Sequence, residues 1–376
     1  MKPTLRTICG LVLIATVAAC SGGDDDDAGS PAASSTTATE APPAVDEAAL
    51  QAIADEVVGE EIRGVVIAVR TPAGEASVAA GATAPESGYR IASNTKTYTA
   101  AAVLRLVEDG LVDLDDPLAE HLDPDTVVTL DQDGYDTTAI TVRHTLLHGG
   151  GFYDYATDPD YEAAVVADPA HRWTRDEQVA FAVEHGDPLF AAGEGFAYSD
   201  TGYVLLGELI ERTTGLDLAG SFRDLLGFDR LDLDATYLED VEPAPITAAP
   251  RTPQYFGDLD TTALGLNNTF DLWGGGGLVA PMGELARFYE ALFGGEVISD
   301  ESLDTMVTPS PASDDGGAMG IFVSELDGET CFTHTGFWGT VAAACPDSGR
   351  TVAVSHGQAL TDLDLYEVVA DVLAVI

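Results

Sequence analysis

The sequence contains very little lysine. Of its 376 residues, 64 are aspartate or glutamate and 16 are lysine or arginine, and lysine stands only at positions 2 and 96. The formal charge of −48 excludes a nucleic-acid-binding function, which needs a basic surface, and it fits a highly soluble protein. A lysine kept in so acidic a chain is expected to do what arginine cannot, because burial and neighbours can tune a lysine into a neutral base.

Cysteine is also scarce. The four cysteines stand at positions 9, 20, 331 and 345. Neither Cys-x-x-Cys nor His-Glu-x-x-His occurs, so the motifs imply no metal and no cofactor. Cys331 and Cys345 lie symmetrically about Trp338 in a segment that is typical of a β-hairpin. A cross-strand disulfide is expected there in an oxidising compartment, and two buried free thiols are the alternative.

The first 19 residues have the pattern of a secretory signal peptide. Lys2 and Arg6 accompany an apolar run over 8–17, which is too short to cross a membrane as a helix. The run ends in Val17-Ala18-Ala19-Cys20, which is similar to a bacterial lipobox. We therefore expect Cys20 to be lipidated and the protein to be extracytoplasmic, anchored to the cell membrane by that lipid. Ordinary cleavage with an incidental Cys20 is the alternative.

Residues 20–45 are expected to form a disordered tether. They contain four consecutive aspartates, 24–27, and then mainly Ser, Thr, Ala and Pro. Such a stretch cannot bury enough apolar surface to fold. The remaining residues, 46–376, exceed one simple core and are expected to form the folded domain with two lobes.

The hydrophobic periodicity of this domain predicts helices and strands in a definite order. Helices are predicted over 46–58, 93–109 and 201–214 and near the C-terminus, and strands over 65–69, over 76–80 and in four segments between 319 and 356. The two ends thus supply a mixed antiparallel sheet flanked by N- and C-terminal helices, and an all-helical lobe, about 97–265, is inserted between them. This is an α+β architecture, and a cleft between its two lobes is a common place for a site.

Ser93 stands three residues before Lys96, at the predicted start of a helix. The positive end of the helix macrodipole favours an alkoxide-like state of the serine, and a lysine one turn later projects over the same face. A buried lysine with a lowered pKa can take the serine proton. The alternative is that Ser93 is only a helix N-cap and Lys96 only a charge at the helix start.

Two further segments follow Ser93 and Lys96 in the chain. Tyr198-Ser199-Asp200 leads into a helix, and His334-Thr335-Gly336 lies on a predicted strand before a turn. With these three motifs, the chain resembles the serine penicillin-recognising hydrolases over about 48–370. These are class C β-lactamases, serine DD-carboxypeptidases and related esterases, which carry Ser-x-x-Lys, Tyr-x-Asn and Lys/His-Thr-Gly in this order. The resemblance implies their β-lactamase/transpeptidase-like fold.

The resemblance also implies a role for individual residues. Ser93 would attack a carbonyl and become acylated, Lys96 would be the general base, and Tyr198 would carry a proton to the leaving group. The backbone N–H groups of Ser93 and Phe337 would form an oxyanion hole, and His334 and Thr335 would meet a substrate carboxylate or carbonyl. The substrate-binding residues that the resemblance implies are Asp200, His334, Thr335, Gly336 and Phe337.

Two residues depart from the family pattern. Asp200 replaces an asparagine; an ionised carboxylate cannot donate a hydrogen bond to a substrate amide, and it should hold Lys96 charged more firmly. This weakens the case for β-lactam hydrolysis. His334 replaces a lysine, which resembles the DD-peptidase and aminopeptidase side of the family, and a histidine charge is expected to depend on pH.

Two glycine-rich segments mimic other motifs. The segment 148–151, His-Gly-Gly-Gly, is similar to the oxyanion loop of α/β-hydrolases, but the Gly-x-Ser-x-Gly elbow that must follow it does not occur. We interpret it as a loop at the helical lobe. The segment 274–277 is not a phosphate-binding loop, because no Gly-Lys-Ser/Thr follows.

The leading interpretation is an extracytoplasmic serine hydrolase that acts through an acyl-enzyme, either D-alanyl-D-alanine carboxypeptidase-like or a related peptide or ester hydrolase. A β-lactamase is the alternative enzyme, and a non-catalytic penicillin- or cell-wall-binding lipoprotein is the alternative of another class. The expected substrate is a peptidoglycan-type peptide, an ester or a β-lactam. We expect a monomer that contacts the membrane only through its N-terminal lipid and binds no nucleic acid.

Overall fold

The computed structural model describes residues 45–376. The predicted signal peptide 1–19, the lipidation site Cys20 and all but the last residue of the predicted tether 20–45 lie outside the described residues and stay predictions. Within 45–376, none of the helices combines the length and the apolar character needed to cross a bilayer.

Helices and strands alternate along the described residues. The helices are α1 Glu47–Val57, α2 Thr95–Glu108, α3 Pro124–Gln132, α4 Val142–Leu146, α5 Pro159–Ala167, α6 Arg175–His185, α7 Asp200–Thr214, α8 Leu218–Leu226, α9 Thr261–Leu264, α10 Met282–Phe293, α11 Asp300–Met306 and α12 Leu365–Leu373. The strands are β1 Gly64–Thr71, β2 Gly74–Gly81, β3 Gly88–Arg90, β4 Tyr237–Leu238, β5 Tyr255–Phe256, β6 Leu259–Asp260, β7 Leu278–Pro281, β8 Phe322–Leu326, β9 Glu329–Gly336, β10 Thr340–Cys345, β11 Arg350–Ser355 and β12 Gln358–Ala359.

The main sheet joins the two ends of the domain. Its six strands lie in the order β2-β1-β11-β10-β9-β8, and every neighbouring pair is antiparallel. Ile67 in β1 faces Val354 in β11 across the ladder, so a strand from the start of the domain pairs with one from its end. The predicted α+β class and the origin of the sheet are confirmed.

Helices cover both faces of this sheet. Side chains alternate between the faces of a strand, so Val66 and Ala68 of β1 join a core with α2 and α10. Val65, Ile67 and Val69 join a second core with α1 and α12. Burying one such aliphatic side chain stabilises the fold by about 1.5–3 kcal/mol. Because both faces are buried, β1 is an almost unbroken apolar run and not an alternating one.

Local signals set the ends of several helices. The Asp46 side chain accepts hydrogen bonds from the N–H groups of Ala48 and Ala49, both at 3.1 Å, and so caps α1. Helix α7 stops at Gly215, whose φ of 72° is a left-handed conformation that suits glycine. The predicted helices over 46–58 and 201–214 therefore differ from the observed ones by one residue at their ends.

The middle of the chain is mainly helical. Helix α2 packs against α7 and α8, and α3 to α9 follow one another between 124 and 264. This interval also contributes β4 to a small sheet of order β3-β7-β4, and β5 and β6 to another of order β12-β5-β6. Strand β3 of the first of these sheets leads directly into the turn that carries Ser93.

Strands β9 and β10 form the hairpin that the spacing of the two cysteines predicts. A disulfide joins Cys331 and Cys345, and both residues are fully buried. They belong to the core on the α1 and α12 side of the sheet, on the face away from the core that holds α2. The disulfide is therefore a structural link within the hairpin, away from Ser93.

Candidate active site

Ser93 lies in a constrained turn between β3 and α2. The turn is a single 3-10 turn, Ala92–Asn94. The Asn94 amide donates to the Ile91 carbonyl at 3.1 Å and to the Thr340 hydroxyl at 2.9 Å, which ties the turn to β10. Ala92 has a φ of 45°, in the left-handed region that a side chain disfavours. Backbone strain of this kind persists only where the surroundings enforce it.

The Lys96 ammonium is fully buried under Ser93. Its Nζ donates to the Ser93 Oγ at 3.0 Å, to the Asp200 Oδ1 at 2.5 Å and to the Gly275 carbonyl at 2.8 Å. An ammonium has three donors, and here each one has an acceptor. The predicted pairing of Ser93 with Lys96 is thus present, and Asp200 is the third member of the group.

The structure corrects the expected charge of Lys96. Burial by itself lowers the pKa of Lys96, but the negative charge of Asp200, and after it the electrostatic effects of Tyr198 and Asp271, act in the opposite direction, and the net pKa is raised. The prediction of a lowered pKa is therefore wrong, whereas the prediction that Asp200 holds Lys96 charged agrees with the structure. Lys96 is an ammonium in the free enzyme and can take a proton from Ser93 only if it passes one on.

Tyr198 lies beside this group as a protonated phenol. Burial raises the pKa of Tyr198, and the opposing effects of the Lys96 charge and of its hydrogen bonds to Lys96 and Ser93 do not cancel the increase. The Lys96 Nζ is 5.0 Å from the centre of the Tyr198 ring. Tyr198 thus contacts both the nucleophile and the ammonium, as a proton shuttle requires.

His148 holds Tyr198 in place. The two rings stack with their centres 4.5 Å apart, and the His148 Nδ1 accepts a hydrogen bond from the Ser199 N–H at 3.1 Å. The structure confirms the predicted loop over 148–151. The sequence did not predict that His148 supports Tyr198. The three glycines that follow His148 were the sequence signal for such a role, because consecutive glycines indicate a backbone that packs closely against its neighbours.

His334 on β9 is buried and neutral. It is 2% exposed, and its Nδ1 lies 2.6 Å from the Thr335 carbonyl, so Nδ1 is the protonated nitrogen that donates. Burial, followed by the charge of Lys96, lowers the pKa of His334 to about 3. The expected pH-dependent charge near neutrality is therefore wrong, and His334 offers no cation to a substrate carboxylate.

A cavity of about 400 Å³ opens onto Ser93. Six of the predicted site residues line it: Ser93, Tyr198, Asp200, His334, Thr335 and Phe337. Lys96 lies behind Ser93, and Gly336 packs so closely against the Ile91 carbonyl that a side chain would collide with the turn that carries Ser93. Most of the other lining residues are apolar or aromatic, and they include Tyr161, Val165, Phe256, Leu264, Phe270 and Trp338.

Two further carboxylates surround the ion pair. The Asp154 Oδ1 accepts hydrogen bonds from the N–H groups of Asp200 at 3.0 Å and Ala156 at 3.2 Å, and Asp271 lines the cavity. Burial, and then the charge of Asp200, raise the pKa of Asp154 and of Asp271 to about 7. The sequence could not single out either residue among 64 acidic ones.

A buried serine–lysine–tyrosine group at the mouth of a cavity, on an α+β scaffold, defines a serine acyl-transfer hydrolase. Comparison with protein families agrees with this class: residues 50–371 match the family described as Beta-lactamase. The chain belongs to this family. The fold and the hydrolase class expected from the three sequence motifs are thereby confirmed.

Individual relatives share the fold at low sequence identity. The chain is 27% identical to a D-stereospecific amidohydrolase from Streptomyces sp., with a TM-score of 0.77 over 86% of this chain and 97% of that one. It is 25% identical to the D-amino acid amidase from Ochrobactrum anthropi SV3, with a TM-score of 0.73 over 87% and 100% of the two chains. It is 24% identical over 282 residues to Penicillin-binding protein 4* of Bacillus subtilis (strain 168), covering 72% of this chain and 55% of that protein. The chain thus spans only about half of this last relative.

Replacing Lys96 by arginine should stop the serine from being activated. Arginine keeps the positive charge but cannot release a proton near neutral pH, so Lys96→Arg should lower kcat/KM by at least about a hundredfold. Because Lys96 is fully buried, Lys96→Met, which is of similar size, serves as a second variant without an amine. Melting temperatures of both should be compared with the wild type. Near wild-type turnover in either folded variant would show that Lys96 is structural.

Replacing Asp200 by asparagine should shift the pH dependence of acylation. Asp200 is the largest of the charges that raise the pKa of Lys96, so its removal lowers that pKa and neutral Lys96 forms at lower pH. A p-nitrophenyl ester releases a stable anion that needs no proton, so its reaction depends on neutral Lys96 alone. The rate of Ser93 acylation by this ester should therefore rise at lower pH in Asp200→Asn than in the wild type. Superimposable pH profiles would contradict this account of the lysine charge.

Proposed function

We propose that the protein hydrolyses amide and ester bonds next to a large apolar group, through an acyl-enzyme on Ser93. The observation that carries this proposal is the cavity, whose lining includes the nucleophile Ser93 and is mainly apolar. Burial of an apolar substrate group of the size of a phenylalanine side chain contributes about 1.5–3 kcal/mol. A cavity of about 400 Å³ is large enough for a single side chain of this size together with the reacting bond.

The charge of the cavity argues against a substrate carboxylate. Within the described residues, its lining contains no lysine or arginine, and its charged members are Glu162, Asp200 and Asp271. Lys96 is already bound by three acceptors, and His334 is neutral. D-Alanyl-D-alanine peptides and penicillins both carry a carboxylate close to the reacting bond. Among the expected activities, the site therefore favours amide and ester hydrolysis over carboxypeptidase or β-lactamase activity.

Two of the structural relatives support this preference. Both the D-stereospecific amidohydrolase and the D-amino acid amidase are named for the hydrolysis of amides. The penicillin-binding relative is matched over about half of its length, which gives less support for transferring its activity. The two amidohydrolases also make a D-configured acyl group the first substrate to try.

The proposed reaction uses the contacts of Lys96 with Ser93 and Tyr198 in order. Ser93 Oγ attacks the carbonyl carbon while its proton moves to Lys96, which passes one of its own protons to Tyr198. Tyr198 protonates the leaving nitrogen or oxygen, so Lys96 is an ammonium before and after the step, as its raised pKa requires. In this proposal the backbone N–H groups of Ser93 and Phe337 stabilise the oxyanion. Water then repeats the sequence on the ester of Ser93 and releases the acid.

Acylation and substrate preference can be tested together by mass spectrometry and kinetics. The p-nitroanilide of N-acetyl-phenylalanine, in D and L forms, is compared with a D-Ala-D-Ala peptide and a fluorescent penicillin. We expect one acyl group on the peptide that contains Ser93, and kcat/KM at least about tenfold higher for the preferred aromatic anilide than for the D-Ala-D-Ala peptide, from the apolar contact.

The matched variants are Ser93→Ala, which should lose acylation, and Ser77→Ala, which alters an exposed serine in β2 and should keep it. Faster turnover of the D-Ala-D-Ala peptide would instead identify a carboxypeptidase. Acylation that persists in Ser93→Ala would remove Ser93 as the nucleophile.

We further propose that the protein acts outside the cytoplasm while anchored by lipid at Cys20. The supports are the leader pattern of residues 1–19 and the sequence Val17-Ala18-Ala19-Cys20. Cys20→Ser should release the protein from the membrane fraction and leave the hydrolysis rate unchanged, which fractionation and an activity assay would measure. A membrane-bound Cys20→Ser protein would exclude lipidation of Cys20 as the anchor.

A further inference from the structure

We propose that Asp271 binds the α-ammonium group of the substrate, so that the enzyme acts on amides, esters or peptides of amino acids whose amino group is free. This inference rests on the proposed function, because it assigns a second recognition element to the same cavity. It narrows the substrate from any apolar acyl group to an aminoacyl group.

Asp271 is held close to the reacting group by the glycine segment that precedes β7. Asp271 ends the 3-10 turn Asn268–Asp271. A side chain on Gly276 would collide with the Asp271 carboxylate, and one on Gly275 would come within 2.6 Å of Asp200 Oδ1. The Gly275 carbonyl in turn accepts from the Lys96 Nζ at 2.8 Å. Two adjacent glycines thus place the Asp271 and Asp200 carboxylates side by side, next to the lysine that contacts Ser93.

The three carboxylates of the site differ in their partners. Asp200 accepts from the Lys96 ammonium at 2.5 Å, and Asp154 accepts two backbone N–H groups. No N–H or O–H group of residues 45–376 donates a hydrogen bond to the Asp271 carboxylate, although it lines the cavity. A carboxylate without a donor at low dielectric is costly, and a ligand cation in the cavity would supply the missing donors.

His334 gives an independent indication of a ligand with N–H donors. Its Nδ1 is used by the Thr335 carbonyl, so the neutral ring presents Nε2 as an acceptor. Within the described residues this atom has no hydrogen-bond partner, although His334 is 2% exposed and forms part of the cavity wall. An unpaired acceptor so deeply buried implies a donor that arrives with the ligand.

The electrostatics of the cavity select an ammonium over a neutral donor. The charges that act on Asp271 include those of Asp200 and Asp154, which are negative, and those of Lys96 and Arg90, which are positive. Arg90 is paired with Glu239 at 2.6 Å and donates to the Leu266 carbonyl at 2.6 Å, so its own charge is largely compensated. The charged side chains of the lining itself, Glu162, Asp200 and Asp271, are all acidic, so the cavity favours a cation. Ser93 and Asp271 line the same cavity, and an amino acid carries its α-amino group on the carbon next to the reacting carbonyl.

The test compares phenylalanine p-nitroanilide with a free amino group and its N-acetyl derivative, in the enantiomer that the wild type prefers. The wild type should have kcat/KM about tenfold or more higher for the free amine, as expected for a charge-assisted hydrogen bond. Asp271→Asn, which keeps the shape and removes the charge, should lose that advantage, so that its kcat/KM for the free amine falls relative to its kcat/KM for the N-acetyl substrate. Glu301→Gln removes one charge from an exposed position in α11 and should retain the preference for the free amine.

The outcomes separate this inference from the proposed function. Equal kcat/KM for the two substrates in the wild type, or an equal loss for both in Asp271→Asn, would overturn the role of Asp271 while leaving apolar amide hydrolysis intact. Failure of both substrates together with absent acylation of Ser93 would overturn both proposals. Retained labelling of Ser93 by a fluorophosphonate in Asp271→Asn shows that the variant is folded.

Discussion

The buried Lys96 ammonium is the interaction on which the site depends. Its three acceptors come from three parts of the chain: the turn that carries Ser93, the first residue of α7, and the glycine segment before β7. Removal of one partner from a buried ion pair typically costs about 3–5 kcal/mol. The same three hydrogen bonds therefore orient the nucleophile and dock the helical insertion against the sheet. Stability and catalysis cannot be separated at this position.

The arrangement also sets how protons move. Three carboxylates face one ammonium, and the only histidine on the cavity wall within the described residues is neutral. Because Lys96 is charged and already hydrogen-bonded to Ser93 and Asp200, the proposed reaction passes the Ser93 proton along hydrogen bonds and does not store it on one group. The Lys96–Tyr198 contact allows this, because each group gains a proton as it gives one up. An excess of negative charge around the nucleophile distinguishes this site from one built to hold a carboxylate.

Much of the fold could be predicted because its signals are local. The apolar run of β1, the capped helix α1 and the glycine stop of α7 each depend on neighbouring residues, and the structure places all three as expected. The Ser93–Lys96 pair was also visible, since both residues lie within one helical turn.

The remaining features arise only from tertiary contacts. Asp154 and Asp271 are ordinary acidic residues in the sequence, and the fold alone brings them to Asp200. The sign of the Lys96 pKa shift depends on the balance of burial against these charges, and the neutrality of His334 depends on its depth. Neither balance can be read from spacing, which explains why the expectations of a lowered Lys96 pKa and of a pH-dependent His334 charge are wrong.

The topology of the main sheet has a consequence for how the enzyme is made. Val66 in β1 pairs with Ser355 in β11, and the Ser93 turn is held against Thr340 of β10 by Asn94. Closing a chain segment of this length delays the contacts that complete the sheet. The nucleophile is therefore assembled only after nearly the whole chain has been synthesised, and a nascent or truncated chain that ends before β10 contains Ser93 without a working site. Hydrolytic activity is therefore expected only after β10 and β11 have joined the main sheet.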